Sequence, residues 1–331
     1  MSGYAPIVTV FGGSGFVGRY VTQRLARAGY RVRVAVRRPD EALFVRPYGV
    51  VGQVEPVQAN IRDDASTRAA ILGADAVINC VGILVEAGKQ KFEPLLAEGA
   101  GRIARIAAEE NIRRLVHVSA IGADADSESG YARAKAAGEE AVTSAYPAAV
   151  ILRPSVVFGT EDEFFNRFAS MARISPFLPV VSPDTKFQPV YVDDVAAAAV
   201  KAVMEPVSPG VYELGGPDVE TFRELMQRMF EVIERKRFVI AVPLGMARLQ
   251  AKVLDFVQRA SFDVITNKIL TQDQVVMLQS DNVVAEGAKG FSDLGMEATS
   301  METVLPGYLY SFRPHGQYDA ITASAENLRS Q

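Results

Sequence analysis

The nine residues Val10-Phe11-Gly12-Gly13-Ser14-Gly15-Phe16-Val17-Gly18 limit what this 331-residue chain can fold into more than any other stretch. They leave an apolar run at 7–11 and open a helical pattern that ends near Gly29. In that setting the spaced glycines have separate tasks. Gly12 permits a tight turn, Gly15 lets the backbone come close to a pyrophosphate, and Gly18 allows the helix to sit tightly on the sheet. The amides at the helix start, around Ser14, Phe16 and Val17, then face an anion at the positive end of the helix dipole.

Further apolar runs at 31–36, 76–81, 115–119 and 149–152 read as buried strands, with amphipathic segments between them. Strands buried on both faces and separated by helices require a parallel sheet. One crossover helix is expected at 99–111, where Ile103, Ile106 and Ala107 lie mostly opposite Arg102, Arg105, Glu109 and Glu110. The expected fold class is α/β: a Rossmann-type doubly wound parallel sheet with a smaller α/β C-terminal lobe. The sheet domain is assigned to 1–160, completed by parts of 186–215, the lobe to 161–316 and a polar tail to 317–331. Pro176, Pro179, Pro183 and Pro189 punctuate the passage into the lobe. There Phe222, Leu225, Met226, Met229, Phe230 and Ile233 repeat every 3.6 residues behind a capping Thr221.

Composition removes several function classes. Apolar residues make up 49% and charged residues 22%, with a formal net charge of -4, so the chain is globular and has no basic field for nucleic acid. Cys80 is the single cysteine, which excludes an internal disulfide and an all-cysteine zinc site and fits a reducing compartment. The only histidines are His117, inside a strand pattern, and His315, so no metal site is expected. No uncharged apolar run reaches the roughly 20 residues that span a bilayer. The strand run begins at residue 7, too early for a leader segment, and a cytoplasmic protein of bacterial origin is expected.

About 20 residues beyond the glycine loop, NAD-binding folds commonly place an acid against the ribose 2′-hydroxyl. Here Val36 is followed by Arg37 and Arg38, and no acid occurs before Asp40. Two guanidinium groups at a strand end favour a 2′-phosphate, so the expected cofactor is NADPH. Tyr131 and Lys135 stand one helical turn apart after the 115–119 strand, a spacing at which the cation can act on the phenol and the nicotinamide ribose. At 243–260, Leu244, Ala247, Ala251, Leu254 and Val257 form an apolar face widened by Leu249, Val253 and Phe256, with Arg248, Lys252 and Arg259 as a basic stripe. Such a helix suits a membrane surface, a partner groove or its own core equally.

These residues resemble the short-chain dehydrogenase/reductase superfamily in its extended and atypical branches. The Gly12 loop, Asn60-Ile61-Arg62-Asp63, Asn79-Cys80-Val81-Gly82, Ser119, Tyr131 with Lys135, and Arg153-Pro154-Ser155 fall in that family's order. The resemblance implies that Asn60 and Ile61 lie near the adenine, Val81 and Gly82 beside the ribose, and Pro154, Ser155 and Val156 along the nicotinamide, with Ser119 also in the site. Residues 157–162, 166–171 and 188–195 narrow the match over about 7–310, and the chain resembles the nucleotide-binding accessory subunits of respiratory complex I. That resemblance implies a bound NADPH without turnover and other complex I subunits near the quinone site as partners. It also implies a peripheral place on the cytoplasmic side of a bacterial inner membrane.

Two features bear on turnover. After Ser119 the chain reads Ala120-Ile121-Gly122, where extended enzymes carry more hydroxyls, and the link to Tyr131 is short and rich in Asp124, Asp126 and Glu128. Both favour a cofactor held rather than used. An active reductase or epimerase and an NADP(H)-sensing regulator are the alternatives.

Overall fold

A computed structural model describes residues 5–260, 267, 270–314 and 316; His315, the tail at 317–331 and the side chains of Val257 and Arg259 lie outside the described residues. Seven strands form the central sheet: β1 (Ile7–Phe11), β2 (Arg31–Val36), β3 (Val54–Gln58), β4 (Ala76–Asn79), β5 (Arg114–Val118), β6 (Val150–Pro154) and β7 (Gly210–Leu214). Their order is β3-β2-β1-β4-β5-β6-β7 and every neighbouring pair is parallel. The chain leaves β1 toward β2 on one side and β4 toward β5 on the other. A crevice therefore opens at the carboxyl ends of β1 and β4, where such sheets bind ligands.

The helices are α1 (Phe16–Arg27), α2 (Asp64–Ile71), α3 (Glu98–Glu109), α4 (Gly130–Ala145), α5 (Phe165–Ile174), α6 (Val192–Met204), α7 (Phe222–Val232), α8 (Leu244–Ala260), α9 (Gln272–Met277) and α10 (Met301–Leu309). Period-two alternation in the strands builds two cores. Val8, Val10, Val34, Ile78, Val116 and Leu152 meet α1 and α6, whereas Phe11, Val77, Leu115 and Ile151 meet α2, α3 and α4. His117 has the parity of Leu115, and Asn79 that of Val77, so both point to the α4 side. A third core joins Phe158, Phe165, Leu178, Met226, Met229 and Leu305 beyond the sheet. Thr221 caps α7 in a full capping box with Glu224.

β3 is absent from the strands read in the sequence. Pro56 inside it argues against a central strand, but β3 is an edge strand, where a missing N–H can face away from the ladder. On α8, Ala247 and Ala251 are the core side, packed with Val181 and Val275. Met246, Leu249, Val253 and Phe256 stand outward, each more than half exposed.

One ion-pair network fastens the far half of the sheet to α4. The Arg153 guanidinium on β6 donates to both Glu139 oxygens at 2.7 to 3.1 Å and to Glu213 of β7 at 3.4 Å. Glu139 is 6% exposed, so losing its partner strands a buried charge. Arg153→Met is expected to lower unfolding free energy by about 3 kcal/mol, read as a reduced denaturant midpoint at unchanged slope.

Candidate functional site

The crevice begins at Gly12, whose φ of +71° turns the chain out of β1. A Cβ on Gly18 would stand 2.1 Å from the Gly12 carbonyl oxygen, so α1 can sit on the turn only with a hydrogen there. Gly15 is the N-cap of α1 without any side-chain cap, and no acidic residue occupies the first turn. The amides of Ser14, Phe16 and Val17 have no acceptor among the described residues. Unbonded amides converging at the positive end of a 12-residue helix suit a diphosphate. The Gly15 Cβ position is tight only against the Gly12 oxygen, at 3.2 Å, and opens to solvent on the ligand side.

Beside this turn, a cavity of about 300 Å³ at the ends of β2 and β3 is lined by Arg37, Gln58, Ala59, Asn60, Arg62 and Ser66. None of these carries a negative charge. Arg37 is exposed and forms no ion pair among the described residues. Arg38, expected beside Arg37 at the 2′-phosphate, pairs with Glu41 at 2.8 Å on the open surface. Asn60 holds its loop by accepting from the Arg62 amide and donating its own amide to Ser66. Ile61 is in the core with its side chain against Gly99, and its carbonyl accepts from Arg102. Arg62 enters the sequence reading only as part of the Asn60-Ile61-Arg62-Asp63 run, with no role given to it, and Ser66 does not enter it, although its place six residues after Asn60 is a signal.

On the other side of the crevice, Val81 donates its amide to Asn79 at 3.1 Å, and Gly82 is exposed. Asn79 Nδ2 meets His117 Nδ1 at 3.0 Å, so Nδ1 accepts and the histidine proton sits on Nε2, which has no partner. Ser119 is 4% exposed and its Oγ is likewise unpartnered, a buried polar atom waiting for a donor or acceptor. Lys135 donates Nζ to the Val118 carbonyl at 3.2 Å and lies 5.9 Å from the Tyr131 ring centre.

Burial governs the charges here. It pushes Lys135 down to about 8 against the pull of Glu139 and Cys80, and the Cys80 thiol up to about 12. Burial, with Lys135 adding to it, pushes His117 down to about 3. The Tyr131 phenol is pushed well above its ordinary value by burial and then by Asp273. Tyr131 is therefore a weaker acid here than a solvated phenol. Asp273 was not foreseen: it lies 142 positions away in sequence and accepts from Ser129 Oγ at 2.7 Å and from the Gly130 amide at 2.6 Å. Pro154 ends β6, while Ser155 Oγ and the Val156 amide both donate to Asn282 Oδ1, at 2.7 and 3.1 Å.

The glycine loop, the Arg37 cavity and the Asn79–Ser119 file thus fit the phosphates, adenosine and nicotinamide of one dinucleotide. The model of the NAD dependent epimerase/dehydratase family matches residues 8–215, well over half of the chain. The chain belongs to that family. Relatives within it are complex I subunits: a mitochondrial NADH dehydrogenase [ubiquinone] 1 alpha subcomplex subunit 9 of Arabidopsis thaliana is 37% identical over 96% of this chain and 81% of that protein. The 40 kDa NADH-ubiquinone oxidoreductase subunit of Neurospora crassa is 30% identical over 97% of this chain and 83% of its own. A ceramide reductase of Caulobacter vibrioides is 33% identical over 72% and 74%. The family fold recurs in the NADPH complex of the Escherichia coli quinone oxidoreductase QOR2, with a TM-score of 0.69 at 17% identity over 91% of this chain and 98% of that one.

Two outcomes follow from this geometry. Gly15→Val is expected to leave the melting temperature of the ligand-free chain nearly unchanged and to abolish dinucleotide binding in titration calorimetry, whereas Gly18→Val loses the fold itself. Unfolded His117 binds a proton near pH 6.5 and folded His117 only near 3, so its contribution to stability is complete above the upper value and lost as pH falls between them. Stability measured by denaturant should fall from neutral pH toward about pH 4, and His117→Gln should flatten that slope.

Proposed function

We propose that the chain is a non-catalytic NADPH-binding accessory subunit of respiratory complex I, supporting assembly or stability where the peripheral arm meets the membrane. The observation that carries the subunit reading is similarity to complex I subunits along 96% of the chain, through the lobe as well as the dinucleotide domain. NADPH rather than NADH is supported by Arg37 and Arg62 sharing an acid-free cavity where a 2′-phosphate would lie. Loss of turnover is supported by the raised Tyr131 phenol.

The docking side, in this reading, is the exposed stripe Met246, Leu249, Val253 and Phe256 of α8 together with Phe177 and Phe238 on the adjoining strand pair. Burial, and then the nearby charges of Arg237 and Arg173, lower Arg235 from its ordinary value, and such a mixed basic and apolar surface suits complex I partners at an anionic membrane face. No helix among the described residues is long and apolar enough to cross a membrane. A reductase is the second reading, favoured by the Tyr131–Lys135 pair and the ceramide reductase relative.

Native gels of solubilised membranes test the reading. The chain should migrate with an assembly that oxidises NADH, and nucleotide extracted from that band should be NADP(H). Migration as a free protein, or recovery of NAD alone, would refute it. Arg37→Asp should weaken NADPH binding roughly 10- to 100-fold, since a charge-assisted hydrogen bond is worth about 1.5 to 3 kcal/mol.

A further inference from the structure

We propose that residues 271–282 are a built-in stopper, with Asp273 and Asn282 pinning the segment across the hydride-transfer face and Met277 occupying the place where a carbonyl substrate would meet Tyr131. The proposal rests on the NADPH-holding reading and states how turnover is prevented at that same site.

A reductase of this build needs one open spot. Hydride passes from the bound dinucleotide to a carbonyl carbon while the Tyr131 hydroxyl gives its proton to the carbonyl oxygen. The dinucleotide is thereby oxidised by two electrons, the carbonyl becomes an alcohol, and tyrosinate regains a proton from water. The substrate must touch the phenol, so the phenol must be reachable. Here Tyr131 is 8% exposed. Phe92 stands edge-on to its ring, with centroids 5.6 Å apart, and the Lys135 ammonium lies 5.9 Å from the ring centre. Met277, partly buried, packs against the cluster of Phe92, Leu96, Tyr131 and Ala134 together with Ile83 and Ala120.

The segment is fixed at both ends to the residues that frame the site. At one end Thr271 and Gln274 form a capping box that sets α9 in place. The Asp273 carboxylate then accepts from the Ser129 hydroxyl, the Gly130 amide and, at 3.3 to 3.4 Å, the Tyr131 amide, so it sits on the first turn of the helix that carries Tyr131. At the other end Asn282 Oδ1 takes the Ser155 hydroxyl and the Val156 amide, and its Nδ2 reaches the Ile121 carbonyl at 3.4 Å. Its main chain is paired as well, donating to the Lys186 carbonyl and accepting from the Gln188 amide. These bonds tie the carboxyl edges of β5 and β6 to one short strap, and Met277 is the apolar side chain held between the ties.

Quenching of bound NADPH fluorescence by acrylamide tests the stopper on the full-length chain, without reference to any substrate. In the wild type the quenching constant should be at least fivefold below that of free NADPH. Met277→Gly, which leaves both anchors intact, should raise it severalfold while NADPH stays bound. Asp273→Ala, which frees one anchor and leaves Met277 in the chain, should do the same. With 9,10-phenanthrenequinone as a flat dicarbonyl probe, Met277→Gly should oxidise NADPH at least tenfold faster than wild type, and adding Tyr131→Phe should remove that gain. Wild-type NADPH quenched as readily as the free form overturns the stopper and leaves the NADPH reading standing, as does a folded, NADPH-loaded Met277→Gly chain that is as shielded as wild type. A wild-type chain that retains no dinucleotide overturns both.

Discussion

The contact between Gly18 and the Gly12 carbonyl is the constraint from which the site follows. With 2.1 Å between that oxygen and the place a Cβ would take, helix and turn are held at a separation that only hydrogen allows. The first turn of α1 is thereby fixed at the mouth of β1, and its unbonded amides converge on one volume. Hydrogen bonds from such amides to an anion are charge-assisted and strong in a partly desolvated crevice. A ligand held at about 100 times its dissociation constant adds about 2.7 kcal/mol to the native state, a sizeable share of a typical stability of about 5 to 15 kcal/mol. In the proposed role a dinucleotide can therefore act as a structural member of the fold without reacting.

The two ends of the crevice have opposite chemical character. At the end proposed to take the phosphates and ribose, helix amides and Arg37, which has no ion pair among the described residues, give an open, positive surface. At the end proposed to take the nicotinamide, Asn79, His117, Ser119, Tyr131 and Lys135 are all less than a tenth exposed. Desolvation there drives each titratable group toward its neutral form: histidine unprotonated, phenol intact, lysine lowered. Attraction is concentrated where charge is recognised, and the groups that would move protons are held quiet. Asp273, which accepts from the Tyr131 amide, adds its charge to the burial that raises the phenol.

Sequence legibility tracks how local the cause is. The glycine loop was readable because the demands on Gly12, Gly15 and Gly18 arise within nine residues, and Arg37 because a strand of fixed length places the next strand end at a known distance. The α7 cap was equally local, with Thr221 and Glu224 three positions apart. β3 was not readable, since whether Pro56 is tolerated depends on the strand lying at the sheet edge, which only the assembled topology decides. Asp273, Met277 and Asn282 left no local signal. Their partners at Ser129, Tyr131, Ser155 and Val156 lie more than 120 positions away, and nothing in the pattern around 271–282 distinguishes a strap from any short capped helix. The outward stripe of α8 was half readable: the spacing showed an apolar helix, but only packing divided Ala247 and Ala251 from Leu249, Val253 and Phe256.

The central claim, a dinucleotide held in place while the surrounding assembly works, is tested most directly by following a label on the nicotinamide. The purified complex would be loaded with NADPH tritiated at C4 and allowed to run many cycles of NADH oxidation with quinone. Retention of the tritium on nucleotide that remains bound to this chain is the predicted result. Loss of tritium to quinol, water or any other product, at a rate near that of NADH oxidation, would contradict the account and make the site a working redox centre.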